Sequence, residues 1–109
     1  MIGRVNSAGG IKKLVVAQSS KTGTRNNFDV NLTCDFDPLV VIAFGPSYSS
    51  YNFQTKYRLT KNSAWQTYAG SNHNGIINIS GRTITAGPFI NDDIGPIHDG
   101  YILAFGFPD

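Results

Sequence analysis

The sequence predicts an all-β protein, a single antiparallel β-sandwich of about seven to nine short strands with Greek-key or jelly-roll-like connections. Three observations carry this. Residues 28–36 alternate without a break, Phe28, Val30, Leu32, Cys34 and Phe36 on one parity and Asp29, Asn31, Thr33 and Asp35 on the other, the period of a half-buried strand. Twelve Gly and five Pro punctuate the chain often enough to leave room only for short elements. All seven acidic residues are Asp and none is Glu, so the turn former is kept and the helix former is missing.

Taken in order, residues 1–10 end in Gly9-Gly10 and hold little apolar side chain, which reads as an N-terminal arm or linker before a sandwich over 11–109. A first strand is expected over 11–18. The polar stretch 19–27 then has the chemistry of a hairpin turn that delivers the chain antiparallel into 28–36. Asp37-Pro38 turns the chain, because Pro38 lacks an N–H and pushes its predecessor out of the helical region. Residues 39–44 are apolar on both parities and so predict a strand buried on both faces. Alternation resumes with Tyr51, Phe53, Thr55, Tyr57 and Leu59, which places Lys56 and Arg58 in water. Short strands follow over 64–69, 75–80 and 83–85, the last two as a hairpin around Gly81-Arg82, with 88–90 continuing briefly. The closing strand, Tyr101-Ile-Leu-Ala-Phe-Gly106, repeats the Ala-Phe-Gly ending of 43–45. Two central strands under one packing demand account for that repeat, and Val41 and Leu103 are both expected inside.

Composition narrows function. With 109 residues there is room for one core and no second lobe to close over a substrate. Net charge is +2 and the nine cations are scattered, which makes no track for nucleic-acid phosphates. No apolar run approaches the roughly 20 residues that span a bilayer. The lone cysteine, Cys34, sits on the apolar parity and reads as a small buried hydrophobe. Only 15% of residues are charged, so part of the surface is expected to be covered by partners.

The sequence offers little reactive chemistry. His73 and His98 are the only histidines, and one buried Cys completes no zinc set. Asp92, Asp93, His98 and Asp99 could hold a divalent cation in a hydrolase, but they lack the spacing of a calcium loop and read better as turn residues. No serine stands in a nucleophile elbow and no glycine cluster joins a strand to a helix. The expectation is no enzyme, no cofactor and no metal. Recognition is the remaining class. Tyr48, Tyr51, Trp65, Tyr68, Asn72, His73 and Asn74 lie in or beside loops rich in Ser, Asn and Gly, the mixture that combines rigid aromatic area with adaptable hydrogen bonds. The alternative for Trp65 and some tyrosines is core packing.

One resemblance adds to this. The Thr-Gly-Thr loop at 22–24, the strand ending in Phe36-Asp37-Pro38, the apolar strand 39–45, the Ser/Tyr/Asn-rich middle, Ile-Asn-Ile-Ser-Gly at 77–81 and the final Tyr-Ile-Leu-Ala-Phe-Gly together resemble small β-sandwich modules of bacteriophage tail proteins. The resemblance implies a structural component of a virion tail, baseplate or adsorption apparatus, made in the host cytoplasm and similar to the shoulder or head domains of receptor-binding proteins. Its implied partners are other virion tail proteins and further copies of itself, as a trimer. The alternative function is a carbohydrate-binding module that recognises host cell-wall polysaccharide through the aromatic loops.

Overall fold

The structure is a computed structural model, and it describes residues 3–5, 11–48, 50–70 and 75–108. These residues form ten strands and no helix: β1 Gly3–Val5, β2 Ile11–Lys13, β3 Val15–Lys21, β4 Phe28–Thr33, β5 Pro38–Tyr48, β6 Ser50–Tyr57, β7 Gln66–Gly70, β8 Ile76–Ser80, β9 Thr83–Asn91 and β10 Gly100–Gly106. Strands β3, β10, β5, β6 and β7 pair in that order as a five-stranded antiparallel layer, and β4, β9 and β8 form a three-stranded one. A short parallel bridge, Ser47 to Ile90 and Tyr48 to Asn91, joins the two layers, so the eight strands are one sheet folded on itself. The pairing of β3 with β10 in one layer is nested against β4 with β9 in the other, which is the jelly-roll-like arrangement.

The core lies between the layers and follows from strand parity. Phe28, Val30 and Leu32 of β4 point inward while Asp29, Asn31 and Thr33 point to water. Val41 and Ala43 of β5 and Ile102 and Ala104 of β10 meet them from the opposite layer, with Ile77, Ile84, Ala86 and Phe89 completing the cluster. Phe89 is the largest fully buried side chain. Its ring occupies space that a side chain at position 45 would need, since a Cβ there would stand 2.6 Å from Cδ1, and glycine is what lets β5 pass. Cys34 is buried as expected, and burial pushes its thiol pKa up. Beyond β4, Arg82 bonds Asp37 at 3.2 Å and the carbonyl of Asp35 at 2.9 Å, and its guanidinium holds the Asp37 carboxyl below the usual range.

Four expectations change. The segment 19–27 is not a hairpin turn: β3 extends to Lys21, and the chain then crosses from one layer to the other, because β3 pairs with β10 and β4 with β9. Residues 1–10 contribute β1, which pairs with β2 in a separate two-stranded ribbon ahead of the sandwich. The parity of β6 is reversed. Gln54 is 5% exposed and its Oε1 accepts the Ile77 N–H at 2.8 Å, while Phe53, which alternation places inside, is 53% exposed. The physical reason is the width of the opposing layer. With three strands facing five, β6 lies over the β8 margin, where a side-chain amide can satisfy a backbone donor and a phenyl ring would find little to pack on. The fourth change concerns β5 and β10. Val41 is fully buried, but Val40, Ile42, Phe44, Tyr101, Leu103 and Phe105 point away from the core and are only half-buried. Among the described residues, one face of each central strand is covered by the other layer and the opposite face is not.

Truncating the central ring tests the core assignment. Phe89→Ala is expected to cost ~3–5 kcal/mol, read as a lower denaturant midpoint with little change in slope. A loss under about 1 kcal/mol would remove Phe89 from the centre of the packing.

Candidate functional site

The two outer faces of the sandwich differ in kind. On the three-stranded layer the outward positions are Asp29, Asn31 and Thr33, Ile76, Asn78 and Ser80, and Thr83 and Thr85, a mostly polar surface. Thr85 there donates to Asn31 Oδ1 at 2.8 Å across the strands. The outward positions of the five-stranded layer form cross-strand rows instead. One row runs Phe53, Phe44, Tyr101, Ser20, another Thr55, Ile42, Leu103, Gln18, and a third Tyr57, Val40, Phe105, Val16. Phe44 and Tyr101 stack with ring centroids 4.9 Å apart. Tyr68 on β7 extends the second row beyond Thr55 and is 67% exposed. No side chain in these rows is charged.

A second feature lies at one end of the sandwich. The loop 92–97 is closed at its base by Asn91, which is 2% exposed. Its Nδ2 donates to the carbonyls of Thr24 and His98 at 2.8 and 3.1 Å, and its Oδ1 accepts the His98 N–H at 2.8 Å. Arg25 clamps the loop from outside, donating to the carbonyls of Asp92 and Gly95. The Gly23 N–H donates to Asp99 Oδ1 at 2.8 Å, and a Cβ on Gly23 would collide with the His98 carbonyl. This loop is therefore preformed, with Ile94 85% exposed at its tip.

Between the loop and the β5–β6 turn is a cleft of about 190 Å³ lined by Tyr48, Ser50, Tyr51, Asp92, Pro96 and His98, together with Ile94. Tyr51 meets the His98 ring edge-on at 5.1 Å, and burial, then Tyr101 and Asp99, push its phenol pKa up. Tyr48 has φ of 56°, a left-handed conformation that L residues other than Asn and Asp seldom adopt. Such strain collects where a surface is held in a fixed shape.

The residues singled out from sequence are thus dispersed. Tyr48 and Tyr51 share the cleft, and Tyr68 stands on the outer sheet face. Trp65 is half-buried against the core with the Arg58 guanidinium 4.4 Å over its ring, at the other end of β6, while Arg58 also bonds the carbonyls of Pro38 and Lys61. Asn72, His73 and Asn74 lie outside the described residues. His98 and Asp92 come near one another at the cleft, but among the described residues no group of three or more His, Cys and Asp is placed to hold a metal ion. Sequence reading missed the outer face, although its signal was present in the double parity of 39–44 and 101–105. It also missed Asn91 and Arg25, whose roles depend on carbonyls made near only by folding.

Comparison with models of protein families, with characterised proteins and with solved structures finds no match for this chain.

Removing the Asn91 staple isolates its contribution. Asn91→Ala is expected to destabilise by ~1–3 kcal/mol, since it leaves buried backbone groups unpaired. Amide exchange at His98 should quicken while exchange in β5 and β10 at Val41 and Ile102 stays slow. Equal acceleration throughout would mean that the loop is not an independent unit.

Proposed function

We propose that this chain is a non-enzymatic assembly protein that works by packing the outer face of its five-stranded layer against protein. The observation that supports this best is the contrast between the two outer faces. A polar three-stranded face needs no cover, whereas a charge-free face bearing Phe44, Phe53, Tyr57, Tyr101, Leu103 and Phe105 is what an interface core requires and what an isolated soluble domain avoids. The sparse charge of the whole chain agrees. The setting in this proposal is a bacteriophage virion, in the tail, baseplate or adsorption apparatus, and it rests on the resemblance of the sequence motifs. The test is incorporation. Particles released by cells that encode the chain should contain it in the tail, and particles from an Ile42→Lys background should lack it. Intact particles without the wild-type chain would overturn the virion setting.

A second reading, a carbohydrate-binding module for host wall polysaccharide, is favoured by the Tyr48–Tyr51–His98 cleft, where aromatic rings stand beside Asp92 and Ser50 as neighbouring hydrogen-bonding groups. Tyr48→Gly separates fold from binding at this site, because it removes the ring and relieves a strain of ~1 kcal/mol. On a glycan array this variant and Tyr51→Ala should lose any signal that the wild type gives, with Tyr48→Gly at least as stable. No wild-type signal on wall glycans would eliminate the reading.

A further inference from the structure

We infer that the cleft between the β5–β6 turn and the loop 92–97 takes a sugar bearing a free ammonium group, with the Asp92 carboxylate receiving the charge. This rests on the carbohydrate reading above and names the class of sugar. The first argument is charge. Of the described residues that line the cleft, Asp92 is the one acid and none is Lys or Arg. A second carboxylate, Asp99, is held by the Gly23 N–H at 2.8 Å and lies close enough to Tyr51 to add to burial and Tyr101 in raising its phenol pKa. The cations of the adjoining segments are placed otherwise: Arg25 is turned to the carbonyls of Asp92 and Gly95, and Lys21 ends β3 beside Gly100. On a chain of net charge +2, this recess is lined with the opposite sign, which favours a cationic ligand and repels an acidic one.

The second argument is the sense of the hydrogen bonds. An ionised carboxylate only accepts. The Ser50 hydroxyl donates its proton to the Ser47 carbonyl at 3.0 Å, which leaves its oxygen to the cleft as an acceptor. Two polar groups of the lining thus call for donors. An ammonium has three and no acceptor, whereas an acetamido group brings a carbonyl that would need a donor in return.

The third argument is shape. Tyr48 and Tyr51 are 61% and 51% exposed, and the face of a phenol ring attracts a cation within about 6 Å of its centroid. The cleft volume of about 190 Å³ equals that of roughly six waters at ~30 Å³ each, enough for one pyranose ring with its substituents. Asn91 and Arg25 hold the loop in this form without a ligand, so little ordering is lost on binding.

The experiment is a titration of the full chain followed by amide chemical shifts, at about pH 6, where an amine with a pKa of ~8 is charged. The probes are three disaccharides of one linkage that differ only in the substituent beside the anomeric carbon: glucosamine with an ammonium, N-acetylglucosamine with an acetamide and glucose with a hydroxyl. The ammonium disaccharide is expected to shift Tyr51 and His98 and to bind at least tenfold more tightly than its two neutral twins. Asp92→Asn keeps the size, removes the charge and should bring that affinity down to theirs. Asp93→Asn removes the same charge from an exposed side chain that does not line the cleft, and should leave the preference in place. Equal affinity for the three disaccharides overturns the inference and leaves the carbohydrate reading standing. A preference that Asp92→Asn does not reduce, or that Asp93→Asn reduces as far, also overturns it, because the charge is then read elsewhere. Methylammonium is the last probe, and if it binds as tightly as the amino sugar, the site reads a bare cation and the sugar is struck from the inference. Binding of none overturns the inference, and the carbohydrate reading then stands or falls on the glycan array alone.

Discussion

The constraint on which the structure depends is that its two central strands, β5 and β10, are apolar on both faces and lie side by side. Backbone pairing fixes them as neighbours, Ala104 against Val41 and Ile102 against Ala43, and pleating then sends small or branched side chains to one face and larger ones to the other. The small inward residues let the three-stranded layer approach, and Phe28 and Phe89 fill the space they leave. The outward residues pack on one another, as Phe44 does on Tyr101, and among the described residues no further layer covers them. Among the described residues, five strands form one layer, three the other, and β1 and β2 pair in a separate ribbon.

The rest of the molecule is arranged around that central pair. The narrower layer covers β5 and β10 inside but gives out toward β6, which is why Gln54 and Lys56 stand at inward positions of β6, with Arg58 just beyond its end, each half-buried or more. Those polar groups are used where they lie: Gln54 receives the Ile77 amide and Arg58 lies over Trp65 while bonding two carbonyls. At the opposite end of β6, the strained Tyr48 turn and the Asn91-stapled loop form a rigid rim that adjoins the outer face, since Tyr51 shares the outward parity of Phe53 and lies near Tyr101. The cleft and the outer rows therefore meet at Tyr51.

Much of this was legible in the amino-acid order, and the failures have physical causes. The alternation of 28–36 gave its buried face residue by residue, and Gly81-Arg82 marked the β8–β9 hairpin, because both signals are local. The hairpin expected at 19–27 failed because turn chemistry is the same whether a chain returns beside its own strand or crosses to the facing layer. Parity in β6 failed because alternation says that two faces differ and not which one is covered. Double apolarity in β5 and β10 led to an expectation of burial on both faces, whereas the outward side chains are half-buried, because apolarity says what a face tolerates and not what lies over it. Of the candidate site, aromatic residues in polar loops were visible, but their grouping was not. Tyr48 and Tyr51 meet His98 only because Asn91, Arg25 and Gly23 hold a distant loop in place.

On the proposed assembly role, the outward face of the central strands is shielded when the protein is at work. Carbene footprinting at increasing protein concentration addresses it residue by residue. Labelling of Ile42, Phe44 and Leu103 should fall toward the level of Val41 and Ile84 as concentration rises, with Asn31 and Thr85 unchanged. Undiminished labelling of the outward rows at concentrations where the fold is intact would contradict the account.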